Sequence, residues 1–232
     1  MFSFFKKDKY LKTNPEDKPS VRLSNVLLNK LENEGYKFLK SKNEFIKEFE
    51  FGRKVFRLSY NSSFGYISDV ECFVYITFTD IEKQFKKILP KFNWTNWTLC
   101  NNMDWECDWL CDSETGKYND KSIHAIADSF FKTVKPKIDY FFDNVNDYSD
   151  LNKIYNINPD ENKNFVRYLR IDKRIILALI VAKYIDKDNF REYKIRLKKE
   201  FREYLGSDQE EMAEDIKNAI FYLENNEVEL QT

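Results

Sequence analysis

The feature that most constrains this chain is a change of hydrophobic period partway along it. Between Tyr36 and Phe78 apolar residues recur at every second position, and beyond Ile123 they recur every three or four. Phe45, Lys47, Phe49 and Phe51 alternate with Ile46, Glu48 and Glu50, and Gly52 then interrupts. Phe56, Leu58 and Tyr60 follow on one face, with Arg57 and Ser59 opposite. After the turn-like Asn61-Ser-Ser-Phe-Gly65, Val70, Cys72, Val74, Ile76 and Phe78 alternate again. Successive two-residue periods joined by short Gly or Asn turns predict an antiparallel meander.

Helical spacing brackets these strands. Leu23, Val26, Leu27 and Leu31 form a stripe, with Ser20 as the expected N-cap and Gly35 at the place of a left-handed C-terminal cap. Thr79-Asp-Ile-Glu82 has capping-box spacing ahead of Ile81, Phe85, Ile88 and Leu89, and Pro90 stops that helix. From Ile123 to Val145 apolar residues keep helical spacing, with a kink expected at Pro136. The chain from Leu151 reads as helical, broken near Pro159, Asp186 and Gly206, with Ser207-Asp-Gln-Glu210 restarting the last helix. The expected fold class is α+β: an N-terminal helix, an antiparallel sheet of four to five strands with helices packed on one face, and a helical C-terminal part. In domains this reads as a loose leader over 1–19, an α+β domain over 20–158 and a helical subdomain over 159–232.

Several functional classes lose ground here. The net charge of −1 argues against a dedicated nucleic-acid binder, which carries a strong basic excess. The longest apolar stretch, Ile175 to Ala182, is too short to span a bilayer. Met1-Phe-Ser-Phe-Phe5 places its apolar residues before Lys6 and Lys7, the reverse of a secretory signal. Cys72, Cys100, Cys107 and Cys111 therefore read as reduced thiols, and a cytoplasmic location is expected.

One segment stands apart. Between Lys91 and Lys117 there is no Lys or Arg, yet the stretch holds all four tryptophans, three of the four cysteines and five carboxylates. From Met103 to Asp112 it alternates, with Met103, Trp105, Cys107, Trp109 and Cys111 on one side and Asp104, Glu106, Asp108 and Asp112 on the other. In a strand, side chains of one face repeat every ~7 Å, so the acids would form a row of like charges. Such a row requires water, opposing Lys or Arg such as Arg53, Lys54 or Arg57, or a cationic partner. Three readings stay open: a strand with a solvated acidic face, a docking surface for a basic protein, or a hard-cation site. The candidate partner-binding residues are Trp94, Trp97, Asp104, Trp105, Glu106, Asp108, Trp109 and Asp112. No metal is assigned, because Cys100, Cys107 and Cys111 lack a CxxC or HxxxH partner.

No catalytic residue or cofactor is assigned either. His124, the one histidine, sits beside the apolar stripe of its helix without a nucleophile motif, and GxxxxGK[ST], GxGxxG and HExxH are missing. Arg191 to Arg202 carries six cations, but Phe190, Tyr193, Leu197, Phe201 and Tyr204 make it an amphipathic helix with a solvated basic face.

The helix exit Glu34-Gly-Tyr-Lys-Phe38, the strand Phe45-Ile-Lys-Glu-Phe49, the meander, and later Tyr140-Phe-Phe142 and Asp150-Leu-Asn-Lys-Ile154 resemble small bacterial domains of unknown function. Some of those domains are suspected toxin-immunity proteins. The resemblance covers about residues 20 to 155, brings no catalytic residue with it, and implies a cytosolic binder. The leading expectation is thus a non-catalytic protein-binding module, an immunity-type antagonist of a basic target. The alternative is a metal-dependent hydrolase using a carboxylate site.

Overall fold

The computed structural model describes residues 11–63, 66–91, 97–105, 118–204 and 210–226, with side chains at all of these except 61–63, 66–69, 203 and 204. The fold is α+β. A single antiparallel sheet has the order β1-β2-β3-β4-β5, so each strand pairs with its neighbours in the chain. Its strands are β1 (Lys37–Leu39), β2 (Glu44–Phe49), β3 (Gly52–Ser63), β4 (Tyr66–Phe78) and β5 (Leu99–Met103). The described residues gather into two compact units, each assembled from separate stretches. Of the described residues, the first draws on 11–48, 55–63, 66–74, 102–105 and 118–140, the second on 49–54, 75–91, 97–101, 141–204 and 210–226.

In the first unit, α1 (Pro19–Leu31) buries Leu23, Val26, Leu27 and Leu31, the predicted stripe. Its cap is Lys18 rather than Ser20. Pro19 takes the first helical position, where a fixed φ and a missing N–H cost nothing. The helix tightens over Glu32–Glu34 and ends at Gly35 with φ of +88°, which a side chain would resist. Strand β1 pairs with β2 so that Phe38 faces Phe45. The core is a run of aromatic contacts: Phe45 stacks on Phe56 at 4.6 Å, and Phe130 of α3 (Asp120–Thr133) lies 5.5 Å from Phe56. The expected kinked helix is two helices, with α4 (Lys135–Asp143) starting after Val134. Pro136 falls in the first turn of α4, where it has no hydrogen bond to break.

The second unit is organised around α6 (Ile171–Ile185), in which every residue from Ile175 to Ala182 is buried. A helix apolar on all sides needs cover on all sides. It packs against α2 (Thr79–Ile88), α5 (Tyr148–Asn152), α7 (Phe190–Tyr204) and α8 (Glu210–Asn225). The capping box expected at Thr79–Glu82 does not form: the cap position is Phe78 and no side chain closes it. The Thr79 N–H instead donates to Phe51 O at 2.9 Å, and Glu82 turns inward. Of the second predicted capping box, Ser207 to Gln209 fall outside the described residues, as does the break at Gly206, and Glu210 is the first residue of α8. Among the described residues no helix is long and apolar enough to cross a membrane.

Candidate functional site

Of the alternating stretch from Met103 to Asp112, the first three residues are described. Strand β5 runs over Leu99–Met103, earlier than the alternation from 103 to 112 suggested. Its residues Leu99-Cys100-Asn-Asn-Met103 bury two neighbours in succession, so the two-residue period fails there although the backbone is extended. Asp104 and Trp105 follow the strand without regular structure. Met103 is buried, Asp104 exposed and Trp105 buried, so inward and outward positions do alternate across these three. The Trp105 indole packs edge-on against Phe130 at 5.3 Å, in the core of the first unit. Lys137 donates to the backbone carbonyl of Asp104 at 3.0 Å, which fixes the main chain at this point.

Trp97 belongs to the second unit. It is half-buried, its ring 5.4 Å from that of Tyr75. Trp94, Glu106, Asp108, Trp109 and Asp112 lie outside the described residues. Of the proposed charge partners, Lys54 is buried instead, donating to Phe142 O and to Asn146 Oδ1 at 3.0 Å. Arg57 lies over the ring of Phe73 at 5.7 Å.

The sequence reading missed a polar network inside the second unit. Thr98 is fully buried just ahead of β5; its hydroxyl donates to Glu82 Oε1 at 3.0 Å and accepts from the Phe78 N–H at 2.9 Å. Glu82 Oε2 lies 3.4 Å from Lys173 Nζ, and that ammonium stands 5.1 Å from the centre of the Phe85 ring. The Tyr155 hydroxyl donates to Thr98 O. Burial raises the Glu82 carboxyl above its usual range and lowers the Lys173 ammonium, in each case against the pull of the partner. With Glu82, Thr98 and Lys173 all 5% exposed or less, the network works as a clamp joining α2 and α6 to the residue that leads into β5. The available signal was Lys173 itself, placed one turn before Ile176 and Leu177 on a helix with no polar face to receive it.

His124 is buried at 8% exposure, with Nε2 3.0 Å from Leu11 O. Among the described residues no group of three or more His, Cys, Asp or Glu is arranged to hold a metal ion. No protein-family model, curated protein or solved structure matches this chain.

Proposed function

We propose that this chain is a non-catalytic protein-binding module that meets a basic target through the acidic, tryptophan-rich stretch following β5. What supports the reading is the arrangement at Met103, Asp104 and Trp105: thioether and indole point into the first unit while the carboxylate faces water. This stretch continues with three more acids before Ser113 and no Lys or Arg before Lys117. Carboxylates concentrated in a stretch without Lys or Arg raise the encounter rate with a cationic surface, and the buried Trp105 indole holds the backbone beside Asp104. Strand β5 stands at one end of the strand order among the described strands, a position from which an extended partner can add to a sheet.

The test uses the full chain as bait in lysate of its own source at low salt, followed by kinetics with the recovered partner. Charge reversal at Asp104, Glu106 and Asp108 should slow association by about tenfold or more and flatten its salt dependence. An association rate indifferent to these three substitutions would remove the proposal.

A further inference from the structure

The second unit contains a cleft of 460 Å³ between the helical turn Lys153–Ile157 that follows α5, the segment 159–166, α6 and one face of α7. Its floor is apolar: Ile154, Tyr155, Val166 and Leu197 line it and are each 5% exposed or less. Lys163, Arg174, Arg196 and Lys199 supply four cations to its walls, against the carboxylates of Asp160 and Glu200. Glu200 is already taken up by Arg174, with which it forms an ion pair. Cations thus outnumber carboxylates in the lining, four to two, over an apolar floor. A basic helix face alone is common on proteins. This face differs because two of the α7 cations, Arg196 and Lys199, line a concave cleft.

Arg196 is the informative residue. Two of its nitrogens reach the backbone carbonyls of Asn156 and Tyr155, which holds the guanidinium against the wall. Its Nε is buried and has no hydrogen-bond partner among the described residues. With its Nη atoms committed to these carbonyls and its Nε sealed from solvent, Arg196 contributes a fixed positive charge to the cleft wall. The hollow is much larger than a single inorganic oxyanion needs, and its floor offers nothing to a hydrated one. It falls in the size range of sites that take small organic ligands, which combine an apolar lining with a few placed polar groups.

We propose that this cleft binds a small amphipathic organic anion, a phosphate or carboxylate joined to a compact apolar body. The oxyanion sits among Arg196, Lys163 and Lys199, and the apolar body lies on Ile154, Val166 and Leu197. The site uses none of the residues of the acidic segment, so it stands or falls independently of the docking surface.

The test is calorimetric titration of the full chain, at fixed ionic strength, with phenyl phosphate, phenylacetate and inorganic phosphate. Saturable binding of at least one aromatic anion is expected, on the order of tenfold tighter than inorganic phosphate. Comparing phenyl phosphate with phenylacetate decides which headgroup is preferred. The double variant Lys163→Glu/Lys199→Glu changes two exposed side chains and should lose at least about tenfold in affinity at an unchanged melting temperature. Lys163→Arg/Lys199→Arg should bind as the unmodified chain does, which keeps the test decisive if the reversal variant fails to fold. Absence of saturable binding by all three probes, or equal affinity in the reversal variant, would overturn the assignment. Inorganic phosphate binding as tightly as phenyl phosphate would overturn the role of the apolar floor.

Discussion

Lys173 Nζ stands 3.4 Å from Glu82 Oε2, with 1% of one side chain and 7% of the other exposed. Burial dominates at both ends, since the carboxyl is pushed up and the ammonium down even though each has the other as partner. The pair is thus held by the packing of α2 and α6 rather than being the cause of it. Removing one member leaves an uncompensated buried charge, whereas removing both does not. Glu82→Gln and Lys173→Met should each lower stability by about 3–5 kcal/mol, and the double variant should recover most of that loss. Denaturant unfolding of the four proteins measures the coupling, and simple additivity would contradict it.

Asp120 provides the acid sensitivity of the first unit. Its carboxylate accepts from the Thr13 hydroxyl at 2.6 Å and from Arg22 at 3.0 Å, and these contacts hold it below its ordinary value of 3.8, the Thr13 bond contributing most. A depressed carboxyl releases its proton more readily when folded. Its stabilisation is therefore complete above 3.8 and is lost as the pH falls through the folded value. With 35% of the side chain exposed, solvent screening limits the effect. Asp120→Asn should cost about 1 kcal/mol at neutral pH, and the gap to the unmodified protein should close in acid below 3.8. Stability curves for both proteins against pH make the comparison.

How far the sequence reading reached follows from which interactions are local. The strands β2 to β4 and the stripe of α1 with its Gly35 exit are properties of neighbouring residues and stand in the fold, although burial does not keep the two-residue period: Glu44 and Phe45 are both buried, and so are all residues from Val74 to Phe78. Strand β5 gave no local signal because Leu99 and Cys100 are both buried; the alternation that drew attention begins at its last residue, Met103, and from Glu106 on lies outside the described residues. Glu82 was read as a cap because the spacing from Thr79 suits one. Its true partners, Thr98 and Lys173, are 16 and 91 residues away, and no local pattern announces them. The cleft was out of reach for the same reason: Lys163, Arg174 and Arg196 come from three separate segments.

Gly52 is required by a close approach of backbone. A Cβ built there would stand 1.9 Å from Thr77 O, at a φ of +156°. The obstacle is main chain, which cannot swing aside as a side chain can. Gly52→Ala should cost about 3 kcal/mol or more, because the strand pairing beside it must shift. A melting temperature within a degree or two of the unmodified chain would show that β3 and β4 can separate cheaply at this point.

Cys72 and Cys100 are fully buried, and burial pushes the Cys100 thiol up to about 12 and raises that of Cys72 as well. Only the thiolate alkylates readily. At about pH 8 the peptides carrying these two cysteines should stay unlabelled by iodoacetamide in the folded chain and label fully in denaturant. Peptide mapping by mass spectrometry reads each site separately, and rapid labelling of Cys100 in native buffer would contradict the burial of β5.

Trp97 and Trp105 were grouped as docking residues by sequence, and the structure gives them different surroundings. Trp105 is 6% exposed and packs on Phe130, so truncating it opens a cavity in the first unit. Trp97 is half-buried and stacks beside Tyr75 in the second unit. Trp105→Ala should therefore cost about 3–5 kcal/mol of stability, and Trp97→Ala about 1–2 kcal/mol. For partner binding the order reverses once unfolding is allowed for. On the proposed docking, the half-exposed ring of Trp97 would touch a partner, while Trp105 would act through the backbone that carries Asp104. The conservative Trp105→Phe keeps a ring against Phe130 and should leave association unchanged, whereas Trp97→Ala should speed dissociation of a partner seated there. If Trp105→Phe weakens binding at unaltered stability, its indole touches the partner and its assignment to the core is wrong.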